Sequence, residues 1–446
     1  MVLEICAVGG YSEVGKNMTA VRYNNEVIIL DMGLFLPKII SYEEEEGSRE
    51  GLTKDDMIEI GAVPDISVIE SWRMHVKAIV TTHCHLDHIG AMPYLASYYD
   101  APIIGTPYTI EVLRRILKDE KIKLKNPLKV MTANSKIKLS ENFTLEFINA
   151  THSTLQVVMI ALHTPEGVVL YCNDYKFDNH PTLGKKPNYD RLKKLGVTGS
   201  VKVLIADALY SSKAMKTPSE RVAREMLKDV LLGVKNENSA IIVTTFASHI
   251  ARLQSILDMG TKLGRKVVFL GRSLEKYISA AEALNLISFS KKSEVIGYAN
   301  RVKRKLKEIN KNKKKYLVVC TGNQAEPGSI LRKMADSTMP FKFEEGDHVI
   351  FSCKTIPAPI NMANRAMLEE KLVRKGCRLF KDIHVSGHGA KEDHRDLIEL
   401  VRPKHIIPSH GSLEQTTPMS ELASSMGYVL GQNIHLLRDG QLLELD

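Results

Sequence analysis

The sequence predicts an α/β chain in which a second domain is inserted into the first. Three observations carry this. Through the first two hundred residues, apolar strands end again and again in His or Asp. From about residue 201 the rhythm changes to strands alternating with amphipathic helices, the mark of a parallel sheet covered on both faces. After Gly376 the earlier character returns, with further strand-end histidines at His388 and His410.

Composition sets the bounds. At 446 residues the chain exceeds one ordinary core, so two or three domains are expected. With 44% hydrophobic and 25% charged residues it reads as globular. No apolar run approaches membrane-spanning length, and the first residues lack a basic segment ahead of an apolar one, so a cytoplasmic setting without membrane attachment is expected. Six cysteines (Cys6, Cys84, Cys172, Cys320, Cys353, Cys377) are scattered without a C-x-x-C pair, which points to reduced thiols. The formal charge of +9 favours a polyanionic partner.

In chain order, residues 3–8, 18–23 and 27–30 form a meander that ends in Asp31-Met32-Gly33. Residues 41–56, with the run Glu43-Glu44-Glu45-Glu46, read as an exposed acidic loop. The strand before residue 81 feeds Thr82-His83-Cys84-His85-Leu86-Asp87-His88, with His83 and His85 expected on one strand face and Asp87 and His88 carried onward by a turn. A helix is expected over 108–118, then strands around 131 and 143–148, the latter running to His152. The hairpin of 157–162 and 168–172 turns at Thr164-Pro165-Glu166-Gly167 and exits at Asp174.

A strand at 201–205 ends at Asp207. Thr217, Pro218 and Glu220 read as N-cap, N1 and N3 of a helix with a capping box. Helices near 249–263, 275–286, 298–310, 327–335 and 361–375 alternate with strands at 240–243, 267–270, 317–320 and 349–351. Then come a strand at 380–386, Gly387-His388-Gly389, a helix over 391–401, a strand at 404–407, Pro408-Ser409-His410-Gly411, a short helix near 419–426, and a closing hairpin around Asp439-Gly440.

Imidazole nitrogens and carboxylate oxygens are ligands of borderline divalent ions. Two ions fit the spacing better than one: His83, His85 and His152 for the first, Asp87, His88 and His410 for the second, and Asp174 bridging. Paired cations would hold a shared hydroxide for attack on phosphorus. Leaving-group protonation needs a separate acid, for which Asp207 and His388 remain.

These residues resemble the β-CASP branch of metallo-β-lactamase nucleases, and within it the archaeal-type ribonuclease J family. The matching motifs are Asp31, the 83–88 stretch, His152 and Asp174, then Asp207 in Ile-Ala-Asp-Ala, His388 in His-Val-Ser-Gly-His-Gly and His410 in Ile-Pro-Ser-His-Gly. Pro64-Asp65-Ile66-Ser67, Thr244-Thr245-Phe246-Ala247-Ser248 and Thr321-Gly322-Asn323-Gln324-Ala325-Glu326-Pro327 add to it. Ser409 departs from the family's frequent valine.

The resemblance implies an αββα sandwich over 1–208 and 379–446, with a β-CASP domain inserted at 209–378. It implies two divalent ions per chain, zinc ahead of manganese, with Asp31 orienting the site through hydrogen bonds. The implied activity is 5′-to-3′ exonucleolysis of single-stranded RNA bearing a 5′ monophosphate. Ser386, Gly387, Ser352 and Lys354 are candidate phosphate contacts, Phe246 a candidate base-stacking residue, and Arg301–Lys315 a candidate RNA-backbone track. A homodimer and association with RNA-decay or ribosomal assemblies are further expectations. The alternatives are an endoribonuclease of the polyadenylation-factor type, a non-catalytic RNA-binding scaffold, and a thioester or lactam hydrolase.

Overall fold

A computed structural model describes residues 2–46, 51–356 and 358–445. The chain divides into two compact units, one of residues 1–217 with 386–446, the other of 218–385. These boundaries lie later than the 208 and 378 expected from sequence.

The first unit has two mixed sheets. One runs in the order Leu442–Leu445, Leu3–Gly9, Met18–Tyr23, Glu26–Leu30, Val76–Val80, Ile103–Gly105, Leu128–Val130. The other runs His405–Ser409, Val201–Asp207, Gly167–Cys172, Val158–Thr164, Thr144–Asn149, Lys136–Lys138. Their facing sides share one apolar core, with Ile5, Val21, Ile28 and Val80 from the first and Phe147, Ile160, Val169 and Ile205 from the second. The other side of the second sheet is covered by the helices Tyr189–Val197, Lys391–Val401 and Leu413–Ser425. Alternate residues of a strand face opposite ways, so Val203 and Ile205 enter the first core while Leu204 and Ala206 enter the second. Such strands must be apolar throughout, which is why they end abruptly where polar residues begin.

The second unit is a six-stranded sheet whose pairings are all parallel, in the order Ser293–Ile296, Lys266–Leu270, Tyr316–Cys320, Ile241–Thr244, His348–Phe351, Arg378–Phe380. Val302, Leu306 and Ile309 of the helix Ala299–Lys311, with Leu368 and Leu372 of Pro359–Arg374, cover one face. The helix Ile250–Lys262 lies on the other, where Gly260 packs so closely on Val267 that an added Cβ would stand 2.5 Å from its methyl. The α/β class and the sandwich-plus-insert architecture are therefore present.

Local expectations differ in several places, among them 380–386, where the strand is Arg378–Phe380 and ends as the expected one begins. Leu36–Glu46 is helical, so the acidic run closes a helix; residues 47–50 of the expected loop lie outside the described residues. Ser219, not Thr217, caps the next helix by accepting from Arg221 N, because Glu220 turns inward to a buried arginine. Leu413–Ser425 starts six residues before the expected 419: the Ser412–Gln415 capping box sets its start and Pro418 sits inside it. The last strand does not form a closing hairpin but pairs antiparallel with Leu3–Cys6 of the first strand. Among the described residues, no helix is long and apolar enough to cross a membrane.

One ion-pair cluster braces the strand that leads to His152. Glu146 accepts from His163 Nε2 at 2.7 Å and from Arg191 Nε and Nη2 at 2.5 and 2.8 Å. Burial alone would raise its pKa, but the His163 and Arg191 hydrogen bonds outweigh burial and hold the carboxyl at about 2. A carboxylate depressed on folding stabilises above its unfolded value and loses that contribution as pH falls toward its folded value. The wild type should therefore lose stability between about pH 4.5 and pH 2, and Glu146→Gln should flatten that part of the curve in urea denaturations across this range.

Candidate metal centre

The acidic and imidazole side chains gather where the strands stop. Glu26–Leu30 hands over to Asp31, Val201–Asp207 ends on Asp207, Gly167–Cys172 leads to Asp174 and His405–Ser409 to His410. Asp31, Asp174 and His410 all lie in the left-handed region, with φ of 57°, 56° and 57°. Non-glycine residues there are uncommon and cost free energy, and they cluster where a side chain must be aimed. His83 and His85 are not on a strand: the strand ends at Val80, His83 lies in the following loop, and His85 caps the short helix Leu86–Ile89 that carries Asp87 and His88.

The loop is fixed through its backbone. Met32 N donates to His88 O at 2.7 Å, Leu34 N to Leu86 O at 2.9 Å, and Asn17 N to Asp87 O at 3.0 Å. Gly33 permits this approach, since a Cβ there would fall 1.7 Å from Asp87 O.

The hydrogen bonds assign most of the imidazole protons. Asp31, fully buried, accepts from Thr82 N at 2.8 Å, from the Thr82 hydroxyl at 2.9 Å, and from His88 Nδ1 at 2.7 Å. The one Thr82 hydroxyl proton is thus committed to Asp31, so Thr82 Oγ1 must accept from His83 Nδ1, 3.0 Å away. Gly387 O can only accept, so His152 Nδ1 is the donor at 2.7 Å. Asn17 Nδ2 donates to Asp87 O at 3.0 Å, which turns its Oδ1 to His410 Nδ1 at 2.9 Å. In neutral His83 and His152 the Nε2 atoms are left as lone-pair donors.

Those bare nitrogens converge. His85 Nδ1 is 3.0 Å from His83 Nε2 and 3.2 Å from His152 Nε2, more than one shared proton can satisfy. Burial, joined by neighbouring histidines, pushes His83, His85 and His152 below the usual imidazole range, the last two far below it. Asp174 Oδ2 lies 3.5, 3.2 and 3.4 Å from His83, His88 and His152 Nε2. Its Oδ1 is buried with no hydrogen-bond partner among the described residues. Burial would raise the Asp174 carboxyl, but His410, His88 and His388 hold it well below its usual range.

A buried, unpartnered carboxylate oxygen among lone-pair nitrogens is the donor set of a divalent cation. The atoms fall into two principal groups within 4.8 Å, His83, His85, His152 and Asp174, then Asp87, His88 and His410. A third, Asp174, His388 and His410, overlaps them. His388 differs from the others because its Nδ1 is already held by Asp207 Oδ2 at 2.7 Å.

The remaining sequence-predicted residues stand as follows. Ser386 Oγ accepts from His388 N at 3.0 Å, so it shapes the turn that carries His388. Gly387 presses against His152, where an added Cβ would meet the ring at 2.7 Å. Within the second unit, Ser352 is fully buried; its hydroxyl donates to Ile383 O at 2.8 Å and accepts from Arg252 at 3.0 Å. Arg252 also forks onto Glu220 at 2.5 and 2.8 Å. Lys354 is exposed. Phe246 is half-buried against the second core, its ring 6.4 Å from that of His384. Sequence reasoning missed Asn17, Thr82 and Asn173. No sequence signal marked Asn17, whose partner Asp87 lies seventy residues on.

Three family models divide the chain: metallo-beta-lactamase superfamily at residues 12–230, ribonuclease J beta-CASP domain at 238–369, and Zn-dependent metallo-hydrolase RNA specificity domain at 373–436. The chain is 47% identical over 448 residues to the ribonuclease J of Methanocaldococcus jannaschii, covering 100% of this chain and 99% of that one. The chain belongs to the ribonuclease J family. The ribonuclease J of Pyrococcus abyssi is 44% identical, with 100% and 97% covered, and that of Synechocystis 31%, with 99% and 66% covered. A solved protein of unknown function from Enterococcus faecalis V583 shares the fold at TM-score 0.68 and 16% identity, with both chains fully covered.

Residues that orient ligands of a metal site typically change its affinity by about 10–100-fold when lost. Asn17→Ala should lower divalent-metal affinity by that order, read by competition with a chromogenic chelator. Asn17→Asp keeps the oxygen facing His410 and should recover part of it.

Proposed function

We propose that this ribonuclease J family member is a metal-dependent ribonuclease degrading single-stranded RNA from its 5′ end, with preference for a 5′ monophosphate. The observation that supports it most is the convergence of seven donor side chains, His83, His85, Asp87, His88, His152, Asp174 and His410, beside a His388 whose Nδ1 is held by Asp207. His83, His85 and His152 would hold one ion and Asp87, His88 and His410 the other, with Asp174 between them. Zinc is favoured by the number of imidazoles. When bound, two such cations lower the pKa of a shared water and offset the charge that builds on the phosphate.

The chain's own residues do the rest. Asp31, Thr82, Gly387 and Asn17 hold imidazole nitrogens so that the ligand atoms face inward before anything binds. Burial would lower the pKa of His388, but Asp207 and Asp174 push it up to about 9. Asp207, bonded to Nδ1, favours the imidazolium form, from which Nε2 can pass a proton to the leaving 3′ oxygen. The side chain keeps 18% of its exposure, so a substrate oxygen can reach it. Asp207 balances the charge and holds the tautomer. In the first unit, the Ser386 hydroxyl and the Gly387 backbone are offered to a 5′ phosphate; in the second, Lys354 offers an ammonium and Phe246 a ring for stacking.

End-labelled RNAs carrying monophosphate, triphosphate or hydroxyl 5′ ends test this. Mononucleotides should appear first, and fastest from the monophosphate. Early internal fragments with no dependence on the end group would favour an endonuclease. Asp174→Ala should reduce cleavage by several orders of magnitude and leave RNA binding nearly unchanged, which separates an enzyme from a binding scaffold. Activity on thioesters or lactams without activity on RNA would sink the proposal.

A further inference from the structure

The chain's excess positive charge is concentrated in one element. Residues 299–315 hold nine Lys or Arg and one Glu, a net +8 against +9 for the whole chain. They form the helix Ala299–Lys311 and a following turn of 3-10 helix over Lys313–Lys315. Val302, Leu306 and Ile309 bury one side of the helix in the second unit's core, and Lys305 is buried beside them, paired with Glu294 and Glu308 at 2.8 and 3.0 Å.

The opposite side is different. Arg301, Lys303, Arg304, Lys307 and Lys311 are exposed, and Lys314 and Lys315 continue beyond them. Glu308, the single acid, is already engaged by Lys305 and Tyr316. Elsewhere on the same unit, some surface cations have acidic partners: Lys228 with Glu225, Lys371 with Asp336, Arg374 with Glu370. Among the described residues, none pairs the five on this face.

A helix that needed only solvent would mix its charges. Lys303, Lys307 and Lys311 stand at successive i,i+4 positions, a like-charge spacing that costs about 0.2–0.5 kcal/mol per pair. The first turn contains no acid, so Arg301 also opposes the helix dipole. A stripe that weakens its own helix fits a polyanion that repays the cost on contact. At 1.5 Å per residue, Arg301 and Lys311 are about 15 Å apart, room for two or three phosphates of an extended strand. Tyr298 caps the N-terminus of this stripe and is 63% exposed. A bare aromatic beside a row of cations is what single-stranded nucleic acid uses, stacking a base while the backbone runs along the charges. An acidic peptide would need the cations but has no base for Tyr298.

We infer, on the ribonuclease reading above, that the outer face of Ala299–Lys311 with Tyr298 is a second contact for single-stranded RNA, separate from the metal centre. It makes backbone contacts without sequence preference, so it raises affinity for long strands and leaves the chemistry alone.

Binding of a cleavage-resistant phosphorothioate RNA strand, followed by fluorescence anisotropy over a potassium chloride series, tests it. Two triple variants at Arg304, Lys307 and Lys311 are compared, all to Glu and all to Gln, with Tyr298→Ala as a third. Single-strand contacts contribute about 0.7 each to the slope of log affinity against log salt. The Gln triple should therefore be shallower by about two, with affinity reduced roughly tenfold or more, and the Glu triple should lose more. Tyr298→Ala should lose about fivefold or more with the slope unchanged. Thermal midpoints should be no lower than that of the wild type in all three, and slightly higher in the triples, which lose the like-charge pairs, while hydrolysis of a small activated phosphodiester should match the wild type.

Unchanged affinity and slope in the triples would overturn the inference, as would equal losses of binding and small-diester hydrolysis. If the wild type binds RNA through this face yet cuts none, the ribonuclease reading falls and the contact stands.

Discussion

Everything at the metal centre depends on one requirement: a buried imidazole must have one nitrogen satisfied as a donor before the other can face a cation. The chain meets it with a different partner for four of the five rings. Asp31 takes His88, the Thr82 hydroxyl takes His83, the Gly387 carbonyl takes His152, and the Asn17 amide takes His410. The partners are linked in turn, since the hydroxyl that accepts from His83 donates to Asp31. Losing one ring's partner does not merely loosen a ligand. It lets the ring adopt the other tautomer and points a proton where a lone pair is needed.

That requirement explains the placement of the strands. A sheet packed on another sheet and covered outside by helices needs strands apolar on both sides, and such strands carry polar groups mainly where they end. The polar residues of neighbouring strands are thereby brought to one edge, and three of them, Asp31, Asp174 and His410, take a left-handed backbone to turn inward. The core holds these strand ends rigidly, so the strain is borne by the whole sandwich.

Legibility in the sequence follows the same division. Strand-end acids and histidines were readable because an apolar run that stops at Asp or His announces both the strand and the exit. The parallel insert was readable for the related reason that strand rhythm changes at a domain junction, whereas the two-sheet sandwich was implied by the family resemblance alone. Asn17 was not, because an asparagine after Gly-Lys is an ordinary turn residue until the chain folds back seventy residues later to put Asp87 O against it. The Gly387 carbonyl, which accepts from His152, was not readable either, because no side-chain pattern can report a carbonyl's partner. Glu220 matched a capping box by spacing, but a buried Arg252 claims it, and long-range charge pairing outweighs a local cap.

Ser409 shows how far these links extend. At this position the chain places a fully buried hydroxyl, and a buried hydroxyl without a partner is costly. It donates to Asn173 Oδ1 at 2.5 Å, which leaves Asn173 Nδ2 to donate to the Tyr171 hydroxyl at 2.7 Å and to Asn17 Oδ1 at 3.3 Å. Asn17 Oδ1 is the atom that accepts from His410. The serine therefore fixes which way the Asn173 amide points, and through it supplies a second donor to the oxygen that sets the His410 tautomer. A valine would fill the same space without choosing an amide orientation. Ser409 leaves every ligand in place and adds one more hydrogen bond to the network that holds His410.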